Sequence, residues 1–270
     1  MAELQDRKVA EASALVASQQ YPGVYWTLND SGNEPLIYAF DEQGRSRGTF
    51  RVDGADNVDW EAMQLGPGAN GGFALYIGDI GDNNEERKDS VIYRIPEPQP
   101  EPGPVGARPS VKTTARAEAF RFTFPGGSRN TEAMILHPKT GQIFLFTKSD
   151  SAVSRVYRLP MPLDSKRTVN LESVGRMDLA KLGARTDGLV TDAAISSDAR
   201  RVAVRTYTTV FEFELADGES LDNLVNRPAR GFRLGDGPQG EGVTYRLDGK
   251  GLMTIGESVP AVLFETPWQC

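Results

Sequence analysis

The two residue types that build most metal and nucleophile sites are almost missing from this chain of 270 residues: it has one cysteine, Cys270 at the last position, and one histidine, His137. A lone cysteine makes no disulfide framework and no thiolate metal site. A lone histidine removes His-ligated zinc and most Ser-His-Asp chemistry. No apolar run approaches the roughly 20 residues that a membrane helix needs, so no membrane partner is expected. Positive charge is also scarce, with 30 Lys and Arg against 37 Asp and Glu and a formal net charge of -7. A nucleic-acid groove would need a basic face, so no nucleic-acid partner is expected either. The start, MAELQDRKVA, lacks the apolar core of a signal peptide. That fits a cytosolic protein, or a secreted or periplasmic one whose export signal has been removed. With 39% apolar and 25% charged residues, the composition is that of an ordinary globular protein.

What the chain does have is a repeat. Five times a short apolar stretch opens on an acid: Glu11 in EASALVAS, Glu61 in WEAMQLG, Glu132 in TEAMILHP, Asp192 in TDAAISS and Glu241 in GEGVTYRL. Each is followed by a turn and a second, nearly continuous apolar strand: VYWTLND, FALYIGD, IFLFTKS, RVAVRTY and GLMTIGES. Continuous apolar strands belong where both faces of a sheet are covered. A third strand follows in LIYAFD, SVIYRIP, SRVYRLP, TVFEFEL and AVLFETP, in which Tyr38, Tyr93, Tyr157 and Phe211 recur at comparable places. A wetter fourth follows in GTFRVDG, AEAFRFTF, NLESVGRMDL and RGFRL.

Four strands per unit, with 50, 71, 60 and 49 residues between successive acids, predict an all-β fold: a five-bladed β-propeller of four-stranded antiparallel blades in a single domain. The blades begin near residues 11, 59, 130, 190 and 240. The last unit lacks a fourth strand, and the segment from Leu4 to Val9 is expected to supply it, closing the ring and removing an exposed edge. The long second interval is accounted for by a proline-rich insertion at 96–112, between the third and fourth strands of blade two, with no place in a sheet.

The first strand of each propeller blade lines the central channel, so the five acids converge. So many like charges do not sit together without a cation. Antiparallel pairing brings Asn29, Asp30, Asp79, Lys148, Arg205 and Glu257 to the same mouth. An oxygen-only ring selects a hard cation, and flexible carboxylates suit calcium better than magnesium. The competing reading is that each acid caps backbone N–H groups of the next blade. GDIGDNNEERKD at 78–89 carries EF-hand-like acids at the wrong spacing and without flanking helices, so it is expected to form a charged lid. His137 falls in a turn on the far face. Trp26 and Trp60 are expected to pack between blades, Trp268 to join the closing contacts, and Tyr207 to line the mouth.

In EASAL, DWEAM with LYIGDIG, TEAMIL with IFLF, and GEGVTY, the chain resembles calcium-dependent apyrases, which are five-bladed propellers with a central calcium. The likeness covers the inner two strands of most blades. It implies calcium ligands at Glu11 with Ser13, Glu61, Glu132 and Glu241, and departs at Asp192, where the apyrase pattern looks like a serine. Asp59, two residues before Glu61, competes with it for the metal. The chain also looks like uncharacterised bacterial propellers carrying DWE followed by YIGDIGDN.

A calcium in a polar cavity polarises a phosphoryl or carbonyl oxygen without histidine. Lys148 and Arg205 are the expected partners of developing negative charge, and Asp30, Asp79 and Glu257 the candidate general bases. The function expected is a calcium-dependent hydrolase of phosphoester-type substrates, whether phosphate esters, nucleotide-like anhydrides or organophosphate triesters, with lactones as a further class. Its partner is a small anionic or ester substrate, and a monomer is expected. The alternative is a non-catalytic binding propeller with a structural calcium.

Overall fold

The computed structural model describes all residues except 106–108, 185–187, 235–238 and 268–270; the position expected for Trp268 lies outside the described residues. The strands form five sheets. Blade one is Val16–Ala17, Val24–Leu28, Leu36–Asp41 and Ser46–Arg51, and blade two is Trp60–Pro67, Phe73–Asp79, Ser90–Pro96 and Glu118–Thr123. Blade three is Thr131–Leu136, Ile143–Thr147, Val153–Arg158 and Glu172–Asp178, and blade four is Val190–Ile195, Arg201–Thr206, Thr209–Glu214 and Arg230–Arg233. Blade five is Gly240–Tyr245, Gly251–Gly256 and Val262–Pro267, completed by Ala2–Glu3 from the other end of the chain. The first strands pack against one another in ring order, with blade one touching both two and five, so the fold is a closed five-bladed β-propeller.

Two expectations need correction. The strand that closes the ring is Ala2–Glu3, paired with Leu263 and Val262, not the segment from Leu4 to Val9. Leu4 continues the contact by donating its backbone N–H to Ala261 O at 2.8 Å, and Leu4 and Val9 are both buried with Tyr25, Phe40 and Leu263 in the seam between blades five and one. The insertion at 96–112 does enter a sheet. Glu101 donates its backbone N–H to Arg47 O at 2.8 Å, and Val111–Thr113 runs parallel to Thr49–Arg51 as a fifth strand on blade one. The prolines stop before that strand begins, which is what pairing requires.

The same device recurs. Val169–Asn170 adds a parallel strand to Phe122–Thr123 of blade two. The short 3-10 turn Leu221–Asn226 packs on the fourth strand of blade three, where a Cβ on Gly175 would meet Val225. In blades two, three and four the link from third to fourth strand reaches back over the edge of the preceding blade. Each one covers unpaired backbone groups that would otherwise invite association.

Trp26 and Trp60 are fully buried in the core between blades one and two. Their indole N–H groups are satisfied by Glu97 Oε1 and Asp56 O, each at 2.8 Å. Tyr38, Tyr93, Tyr157 and Phe211 are buried between blades as well.

At the axis, every acid of the repeat is followed by a small residue: Ala12, Ala62, Ala133, Ala193 or Gly242, all buried. Small residues let five strands approach closely, and the channel is tight enough for Gln64 Nε2 to bond Ala193 O of blade four at 2.9 Å. Gly242 is the extreme case, since a Cβ there would lie 2.7 Å from the Ala14 backbone and 2.8 Å from Leu15 Cβ. Gly242→Ala is therefore expected to cost about 1–3 kcal/mol by overpacking. A lowered denaturant midpoint at unchanged slope would show it, and an unchanged midpoint would mean the axis is loosely packed.

Candidate active site at the channel mouth

The first strands of blades two and three each carry an extra residue at the acid. Register jumps between Trp60 and Ala62 and between Thr131 and Ala133, leaving Glu61 and Glu132 as the bulged residues. A bulge re-aims a side chain, and these two carboxylates meet at the head of the channel, where Glu132 shares a hydrogen bond with Glu61. Asp30, in the turn after the second strand of blade one, and Asp59, just ahead of Trp60, join them. One oxygen each from Asp30, Asp59 and Glu61 lie within 4.8 Å of one another. Ser13 Oγ donates to Glu61 Oε2 at 2.7 Å. Asn130 Nδ2 donates to Glu132 Oε1 at 2.9 Å, and Lys148 Nζ stands 3.2 Å from Glu132 Oε2. Lys148 also lies 5.2 Å from the centre of the Tyr207 ring.

These acids are electrostatically overcrowded. Burial, then the charge of Asp30, pushes Asp59 up to about 7. Burial, opposed by Lys148, leaves Glu241 at about 8. Burial and the charge of Glu132 hold Glu61 well above the carboxylate range. Burial also raises Glu132 despite Lys148, and the ammonium of Lys148 is stabilised beyond the usual lysine range by Glu132 although burial opposes it. Asp59 Oδ1 is buried without a hydrogen-bond partner. Gly81 closes over the cluster, and a Cβ there would come within 2.5 Å of Asp59 Oδ2 and 2.7 Å of Glu61 Oε1. An oxygen-only donor set, an orphaned buried carboxylate oxygen and raised carboxylates together fit a hard divalent cation.

Other expected residues are placed elsewhere. Glu11 is exposed and accepts from Asn33 Nδ2 at 2.6 Å. Ser13 serves Glu61 as a donor. Asp192 is fully buried and spends both oxygens on backbone donors, Oδ1 on Ala193 N and Oδ2 on Val243 N, each at 2.8 Å. In blade four the extra residue falls one position earlier, so Asp192 pairs in the ladder with Arg205 and caps the next blade. Arg205 is fully buried and donates to Gly242 O at 2.6 Å, tying blade four to blade five instead of facing substrate. Asp79 is buried, accepting from Arg87 Nη1 at 2.8 Å and Asp59 N at 3.0 Å, which fixes the loop that carries Asp59. Arg87 thus neutralises Asp79, and Arg205 stands opposite Asp192 in the ladder. Glu257 is half-buried at the rim, held by Gln239 Nε2 at 3.1 Å. In the 78–89 segment, Asp82 is taken up by Glu86 N, Arg87 N and the Ser128 hydroxyl, so it builds the lid's turn.

Beside Lys148 the mouth widens into an open cavity of about 660 Å³, lined among others by Asn83, Arg129, Asn130, Ser149 and Arg155. Gly81, Asn130, Arg129 and Arg155 were not singled out in the sequence. Asn130 was the most accessible of them, standing two residues before Glu132, hence on the same face of a strand.

The chain matches no protein-family model and no curated protein. Among solved structures, a protein provisionally assigned as a 6-phosphogluconolactonase from Bacteroides uniformis is similar at 12% identity and a TM-score of 0.45, over 95% of this chain and 67% of that one.

The raised carboxylates set a pH dependence. A folded-state value above the unfolded one gives stability that is complete below about pH 4 and lost as pH rises through the folded value. With Asp59 near 7 and Glu241 near 8, the metal-free protein is expected to lose thermal stability steadily between pH 5 and 8. Asp248 and Glu219, both lowered to about 2, act below pH 4 and leave that window alone. Melting curves in chelator should show the decline and a shallower one in Asp59→Asn; a midpoint rising from pH 5 to 8 would refute the crowding.

Proposed function

We propose that the channel mouth is the active site of a calcium-dependent hydrolase acting on small phosphoester-type substrates. The observation that carries this reading is the convergence of Asp30, Asp59 and Glu61 oxygens within 4.8 Å, next to Glu132, whose partners Lys148 and Asn130 line an open cavity. Acids alone would repel an anionic substrate, whereas acids holding a cation beside a fixed ammonium attract one. Asp30, Asp59 and Glu61 would hold the metal, with Glu132 next to them. Bound there, calcium supplies charge stabilisation to a phosphoryl or carbonyl oxygen.

The remaining work belongs to the chain's own groups. The Ser13 hydroxyl fixes the Glu61 carboxylate, leaving its other oxygen turned to Gly81 and the cluster. Lys148, braced between Glu132 and the Tyr207 ring, presents a charge of settled position to the developing negative charge of the substrate, which is preorganised stabilisation. Asp30 is half-buried at the open side, where its carboxylate can take a proton from an attacking water. Arg87 and Asp79 keep the Asp59 loop in register from behind. Phosphoester chemistry is preferred to lactone opening because Lys148 stands against Glu132 beside the acid cluster and the cavity it lines carries three cations, with Arg129 and Arg155, against the two acids Glu85 and Asp150.

A panel of phosphomonoester, phosphotriester, nucleoside diphosphate and lactone substrates tests the reading. Turnover of one phosphoester class should vanish in chelator and return with calcium, the ring remaining folded by circular dichroism. Lys148→Gln should lower kcat about 100-fold and Glu61→Gln should weaken calcium binding. Folded, calcium-loaded protein inert across the panel would leave the binding-propeller alternative in its place.

A further inference from the structure

Blade three carries a like-charge pair that its fold does not need. Arg155, on the third strand, stands directly opposite Arg176 on the fourth, and both side chains are exposed. Directly opposed residues of an antiparallel ladder have neighbouring Cβ atoms, about 4.5–5.5 Å apart, and like charges there are destabilising. Neither guanidinium has a salt bridge or a side-chain hydrogen bond among the described residues. Of the nearby acids, Glu85 lies 3.4 Å from Arg129, Asp178 pairs with Lys181 at 3.2 Å and also feels the charge of Arg176, and Asp150, exposed and without an ion pair, lines the cavity with Arg155 and Glu85. The only fixed polar contact of Arg155 is through its backbone N–H, which donates to Thr147 Oγ1 at 2.9 Å and anchors the strand.

The second observation is the cavity. Arg155 lines the same space of about 660 Å³ that Lys148 enters from the channel side, with Arg129 on its wall. That volume is the size of a small-molecule site. Its polar donors, Asn83, Asn130, Ser149 and Ser151, suit oxygen acceptors better than apolar surface. The cavity thus has Lys148 and Asn130, the partners of Glu132, on one side and Arg155, with Arg176 opposite it in the ladder, on another.

We infer that Arg155 and Arg176 form a subsite for a second, phosphate-like anionic group of the substrate, held across the cavity from the reacting group. The inference rests on the reading of the mouth as the reaction centre. Arg155 and Arg176, directly opposed on adjacent strands, can offer two guanidiniums to one group, and guanidinium is the side chain that recognises phosphate or a comparable oxyanion. Repulsion between them is relieved when an anion sits between them. The substrate is then a small molecule with two anionic ends, only one of which is attacked.

Inorganic phosphate is the probe, titrated calorimetrically into chelator-treated protein at low salt and again at 0.2 M salt. Wild type should bind with an affinity that falls as salt rises. Arg155→Gln with Arg176→Gln should weaken binding at least tenfold while the melting temperature stays level or rises, because the repulsion is gone. Glu61→Gln should leave this phosphate affinity intact. Unchanged affinity in the double variant, or a lower melting temperature, would overturn the subsite by showing that the anion binds elsewhere or that the arginines are structural. Loss of calcium binding in the wild type with arginine-dependent phosphate binding retained would instead defeat the hydrolase reading alone.

Discussion

Carboxylates cannot be crowded at the head of a closed ring of strands without something to oppose their charge, and the mouth of this propeller is arranged around that constraint. Ring closure brings the first strands together, small residues after each acid let them approach, and bulges turn Glu61 and Glu132 to the axis. The opposition comes from three sources. Lys148 neutralises Glu132, Arg87 neutralises Asp79, and Arg205 lies buried where blade four meets blade five. What these leave uncompensated is the group Asp30, Asp59 and Glu61, in which burial and mutual repulsion raise Asp59 and Glu61.

Charge is therefore graded across the mouth. The acid cluster lies between blades one, two and three, Lys148 stands at its margin, and the cavity beyond it carries more cations than acids, Lys148, Arg129 and Arg155 against Glu85 and Asp150. A small anionic molecule entering such a gradient is oriented before any chemistry begins. Beneath the mouth, Gln64 bridges blades two and four across the channel.

Much of the architecture was legible in the sequence because the repeat sets it. An acid, a small residue and an apolar run, followed by a second apolar strand, occur five times, and only a ring satisfies five such units. The positions of Trp26, Trp60 and the recurring third-strand aromatics followed from the same alignment. The parallel additions Val111–Thr113 and Val169–Asn170 were not legible, since three- and two-residue strands in polar, proline-rich links carry no periodicity. At the site, the sequence identified the acids as a group but treated them as equivalent. A shift of one residue in the bulge makes Asp192 a cap for Val243, and no sequence pattern encodes that shift. The burial of Arg205, likewise, depends on Gly240 leaving room for its guanidinium and on Gly242 O accepting from it, both on the neighbouring blade.

The central claim, that a divalent cation replaces protons in the Asp30, Asp59 and Glu61 cluster, is tested most directly by counting protons released on calcium binding. Calorimetric titration at pH 6.5 in two buffers of different ionisation enthalpy gives that count. With Asp59 near 7 and Glu61 held well above the carboxylate range in the metal-free protein, the account predicts one calcium per chain and a net release of about one to two protons. Calcium binding without proton release, or no calcium binding at all, would contradict it.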